Sequence, residues 1–146
     1  MKSISQSSAE RWFKIVVLLG AVANFLLAIG GLLVPNLVLS VFNIPSAYPD
    51  IWVRFSCLLL ILLTLFYLPG AFDPHAYSMN ATLMIISRSA GVLFFPAMVI
   101  VFKYTPAFLV FGLYDFIWGF PAALLLYRLR SGDGDGGAEA ERGEDE

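Results

Sequence analysis

Long apolar runs separated by short polar breaks dominate the pattern along this chain. Four such runs, about residues 15–34, 51–68, 79–102 and 106–127, approach the roughly 20 residues that a helix needs to cross a bilayer. The runs are too long for strands, and only helices or closed barrels satisfy their backbone inside lipid. The pattern therefore predicts an all-α integral membrane four-helix bundle over residues 1–130. The first run continues to Val34, well beyond the roughly 7–15 residues of a signal peptide's apolar region, so it reads as a retained helix.

The breaks carry their own information. Pro35, Pro45, Pro49, Pro69, Pro74 and Pro106 punctuate the loops, while Pro96 and Pro121 fall inside the third and fourth runs. Each of these two removes a backbone donor and should kink its helix. The first loop, residues 35–50, keeps Leu37, Val38, Val41, Phe42 and Ile44, so a short helix lying on the membrane face is expected there. Trp12, Phe13, Tyr48, Trp52, Tyr67, Tyr77, Tyr104 and Tyr127 stand at span ends, where aromatic rings favour the headgroup layer.

Composition sharpens this picture. The chain is 59% hydrophobic, against about 45–50% for an ordinary soluble domain, so its spans need lipid around them. Lys2, Arg11 and Lys14 precede the first span, and Arg128 and Arg130 follow the last. The first loop holds no Lys or Arg, and the third holds only Lys103, so both termini are expected to be cytoplasmic. Residues 131–146 are rich in Gly, Asp and Glu and contain no aromatic residue, which predicts a disordered acidic tail.

Helical spacing brings the polar residues of the spans onto stripes. Gly20, Asn24, Ala28 and Gly31 share one face of the first span, and Asn80, Met84, Ser87/Arg88 and Gly91 one face of the third. Gly112, Asp115, Gly119 and Ala122 do so in the fourth, with Arg54, Cys57, Ile61 and Thr64 forming a weaker stripe in the second. Small residues let helices approach closely, and polar ones seek partners away from lipid. An ionisable residue at membrane depth marks a functional site by default, so Asp115 and Arg88, with Asn24, are the candidates for ligand binding or proton relay. Asn24 also reads as an interhelical hydrogen bond, and Arg54 as an interfacial residue paired with Asp50.

A turn centred near Tyr104 puts Arg88 and Asp115 about 7–8 Å out of register, with each side chain leaning toward its own helix N-terminus. A direct pair is then within reach only because arginine is long, and water, or Asn24 and Ser87 as intermediates, is the arrangement expected between them. His75, with Asp73 nearby, is an interfacial candidate for proton shuttling or for contact with a quinone headgroup, although a lone loop histidine is usually only solvated.

Several chemistries are excluded. One histidine and one cysteine supply neither bis-histidine haem ligation nor an iron–sulfur cluster. Zinc spacing, phosphate loops and GxSxG motifs are missing from the sequence, as is any basic patch for nucleic acid. Cys57 has no disulfide partner in the chain.

FNIPSAYPDIWVRF before the second span, LPGAFDPHAY after it, Ser-Arg-Ser-Ala-Gly in the third and Leu-Tyr-Asp-Phe-Ile-Trp-Gly in the fourth give the chain a layout. Over roughly residues 11–130 that layout resembles small four-helix membrane proteins of the DoxX-like kind. The resemblance implies an accessory or assembly subunit of a larger complex in a bacterial inner membrane, close to quinone or redox enzymes, and transfers no catalytic residue. Self-association is a further partner expectation. The competing reading is a binding protein or enzyme with a polar site inside the bundle for a quinone, an isoprenoid or a lipid. An oligomeric channel or exporter ranks last.

Overall fold

The computed structural model describes the backbone of residues 4–142 and the side chains of residues 8–131. It is helical, with no strand among the described residues. Helix α1 spans Ile4–Leu33, α2 Pro35–Val41, α3 Ile51–Phe72 and α4 Ser78–Phe102. A 3-10 turn, Pro106–Phe108, leads into α5, Leu109–Arg142. Among the described residues, four segments are long and apolar enough to cross a membrane: Ser8–Leu33, Ile51–Phe72, Ser78–Phe102 and Pro106–Ser131.

The first and last of these exceed the runs read from the sequence, because polar and basic residues extend a helix that apolar residues have nucleated. Pro69, expected in a loop, lies inside the last turn of α3. Asp73 closes that helix through its backbone N–H to the Pro69 carbonyl, and Asp73 Oδ1 then accepts the backbone N–H groups of His75 and Ala76. The α4 and α5 helices continue through Pro96 and Pro121. The backbone helix of α5 runs on to Arg142. Its side chains beyond Ser131, and all of residues 143–146, lie outside the described residues.

The helices form an antiparallel ring in which α1 packs against α3 and α5, and α5 against α4. The α3–α4 seam is the least extensive of the four. Packing is uneven along the bundle axis. The buried core gathers at the end where α1 and α4 begin, from Phe13, Val17, Tyr67, Met84, Leu126 and Leu129 with Ala71, Ala81 and Ala122. Small residues bring the backbones together here: a Cβ on Gly70 would stand 2.6 Å from the Ala81 backbone nitrogen. Phe13 and Tyr67 are thus core residues, at 0% and 3% exposure, and not interfacial aromatics. Both fall on the inward stripe of their helix, and that face outweighs nearness to a span end. Trp12, Tyr48, Trp52, Tyr77, Tyr104 and Tyr127 are exposed.

The opposite end is looser. The expected short helix of the first loop is α2, whose Val38 lies close to Gly30 of α1. Phe42 follows it and meets Phe111 of α5, with ring centroids 5.5 Å apart. Arg54 ties this end together. Its Nε and Nη2 donate to Asp50 Oδ2 at 3.2 and 3.0 Å, and its Nη1 donates to the Leu32 carbonyl. The Asp50 partnership agrees with the sequence reading. The added bond satisfies a carbonyl at the C-terminal end of α1, where helix acceptors otherwise lack partners.

Candidate functional site

The inward stripes converge on a polar cluster at mid-bundle. From α1, Asn24 is 1% exposed, and from α3, Thr64 is 0% exposed. Asn24 Nδ2 donates to Thr64 Oγ1 at 3.1 Å. The Thr64 hydroxyl donates in turn to the Leu60 carbonyl at 2.6 Å, which anchors it to its own helix. From α5, the Tyr114 hydroxyl donates to Asn24 Oδ1 at 2.8 Å. Asn24 therefore links three helices through both ends of its amide.

From α4, Arg88 reaches α5. Its Nη1 stands 2.6 Å from Asp115 Oδ1, and the two side chains are 9% and 18% exposed. The Arg88 guanidinium also lies 5.5 Å from the centre of the Tyr114 ring. The pair is direct, which corrects the expectation of water, Asn24 or Ser87 between them. Two features of the interface explain this. A Cβ on Gly119 would meet Arg88 Cβ at 2.8 Å, so Arg88 is level with Gly119, only one turn from Asp115. The bend at Lys103–Thr105 and the following 3-10 turn reset the register that a symmetric hairpin would have. In addition, the missing side chain at Gly91 leaves room for Asp115, whose Oδ2 would be 1.9 Å from a Cβ there. Each charged residue lies over a glycine of the opposite helix.

Beside this cluster is a cavity of about 510 Å³. Its floor holds Asn24, Arg88, Tyr114 and Asp115, and its walls are mostly apolar and aromatic, including Leu60, Phe95, Phe108 and Phe111. Val38 and Leu39 of α2 border it at the end of the bundle. Trp52 and Phe94 line it while remaining 69% and 52% exposed, so its mouth lies where they stand. Cys57 and Ser56 are on the α3 wall.

The residues singled out from the sequence thus separate into two groups. Asn24, Arg88 and Asp115 come together. His75 and Asp73 sit in the turn at the other end of the bundle, away from the cavity. Sequence reasoning missed Tyr114, which flanks Asp115 and stands outside the stripe of small residues, and it gave Thr64 only a minor place. The signal for Tyr114 was its phenolic hydroxyl at membrane depth, where a buried O–H needs a partner. A second, much smaller void of about 10 Å³ lies on the far side of Arg88 against Tyr67, Met84 and Trp118.

Comparison with protein families, characterised proteins and solved structures returns no match for this chain.

Proposed function

We propose that this is a multi-pass protein of a bacterial inner membrane, of the DoxX-like kind and with both termini cytoplasmic, that binds a small amphipathic molecule inside its bundle. The observation that carries the reading is the cavity of about 510 Å³ whose apolar walls end on a polar floor. Its size falls within the roughly 300–1,000 Å³ of small-molecule sites, and such sites combine apolar walls with a few convergent polar groups. A quinone, an isoprenoid or another lipid fits that description. Arg88, Asp115 and Asn24 are the groups that would meet its head. The core beyond Arg88, filled by Phe13, Tyr67, Met84 and Leu126, favours a closed site over a channel.

A specific observation supports a second reading, that of an accessory or assembly subunit. The α3 and α4 helices are far less buried than α1 and α5, so their outward faces are available to other membrane subunits or to a second copy. Native mass spectrometry of the protein released gently from its own membranes separates the two. A single chain retaining a bound small molecule is expected. A fixed complex with other subunits and no small molecule would overturn the binding reading in favour of the subunit reading.

A further inference from the structure

We infer that the cavity takes an uncharged single-chain amphiphile, with an alcohol or carbonyl oxygen as its head, that enters sideways from the bilayer between α3 and α4. This rests on the binding reading above and names the chemistry of its ligand.

The head follows from which polar groups remain unused. The Tyr114 hydroxyl is committed to Asn24, and the Asn24 amide to Thr64. Arg88 donates through Nη1 to Asp115. No well-formed hydrogen bond joins its Nε or Nη2 to an acceptor among the described residues, although the Tyr114 hydroxyl lies close by, and Arg88 lines the cavity. The floor therefore offers spare donors and calls for an acceptor oxygen. Charge narrows the choice further. The guanidinium and carboxylate, 2.6 Å apart, carry no net charge together. A second carboxylate or phosphate would have to share Arg88 with Asp115, and like charges so close are costly. An ammonium head would face Arg88 itself. An uncharged oxygen accepts from the spare N–H groups and leaves the pair intact.

The route follows from the walls. The α3–α4 seam is the least extensive around the ring. Trp52 of α3 and Phe94 of α4 both line the cavity and stand exposed. Aromatic and aliphatic walls suit a hydrocarbon chain, and a chain entering from lipid need not cross water.

The test uses the full chain in bilayer nanodiscs with three photoreactive probes of equal chain length: a fatty alcohol, a fatty acid and a plain alkane, each with a diazirine in mid-chain. Labelled peptides are mapped by mass spectrometry. Every probe should label outward residues such as Leu62 and Leu124, which serve as the internal control. The expected result is labelling near Phe95 and Phe111 by the alcohol, at least about tenfold above the acid and the alkane, a difference equal to one decade of affinity. Acid labelling equal to or above that of the alcohol overturns the uncharged head. Alkane labelling equal to that of the alcohol overturns any role for the floor. Labelling of Leu62 and Leu124 with no probe reaching Phe95 or Phe111 overturns the cavity reading itself. Asp115→Asn leaves the Arg88 charge unpaired and should move the preference to the acid by about tenfold. Should that variant fail to fold, the double variant Arg88→Met/Asp115→Leu should take alkane and alcohol equally; a retained alcohol preference there overturns the inference.

Discussion

Arg88 and Asp115 form a direct ion pair across the α4–α5 interface, Nη1 to Oδ1 at 2.6 Å, and each lies over a glycine of the other's helix. Removing one partner strands the other charge away from water. Arg88→Met or Asp115→Leu alone should therefore destabilise the bundle by about 3–5 kcal/mol, while the double apolar variant recovers most of the loss. Thermal unfolding in a mild detergent measures this. A double variant as unstable as the worse single variant would show that the pair does not act as a unit. On bound ligand, Asp115→Asn should have a larger effect than Leu113→Ala, whose side chain is 58% exposed.

The glycines under the pair are predicted to be intolerant of a methyl group. Gly91→Ala would push a Cβ to within 1.9 Å of Asp115 Oδ2, and Gly119→Ala to within 2.8 Å of Arg88 Cβ. Each should cost about 1–3 kcal/mol by overpacking. Gly112→Ala is the control, since its nearest neighbour would be 3.5 Å away. Alanine exceeds glycine in helix propensity by up to about 1 kcal/mol, so this variant should be neutral or slightly stabilising. Equal losses at all three positions would contradict the packing described.

The Asn24 junction gives an ordered series. Tyr114→Phe removes one hydrogen bond and Asn24→Ala removes two. Interhelical hydrogen bonds in membranes average about 0.6 kcal/mol, with a maximum near 1.7. Asn24→Ala should thus be the more destabilising of the two, by roughly one such bond, in the same unfolding assay. The reverse order would mean that the Tyr114 ring, and not its hydroxyl, dominates.

Tyr67 makes the opposite prediction. Its hydroxyl is sealed in the core without a well-formed hydrogen bond among the described residues, and Ser87 is the polar side chain beside it. An unsatisfied buried polar group costs about 1–3 kcal/mol. Tyr67→Phe should therefore leave stability unchanged or raise it. A clear loss would show that the hydroxyl is satisfied after all, by Ser87 or by a water in the small void beside Arg88.

The four long helices, the short α2 between the first two, and the inward stripes bearing Asn24, Arg88 and Asp115 were legible in the amino-acid sequence. Helical periodicity and the need to satisfy the backbone in lipid are local constraints, read from spacing alone. Register and proximity are not local. The sequence alone suggested that Arg88 and Asp115 stay apart, and it set Phe13 and Tyr67 at the membrane surface. A few residues of bend after α4, and the glycines under the pair, reversed the first; the inward faces of α1 and α3 reversed the second. The cavity, and the meeting of Tyr114 and Thr64 at Asn24, likewise depend on how far apart four helices stand at each end of the bundle. That distance is set by which small residues face one another across helices, a property of pairs that no single segment encodes.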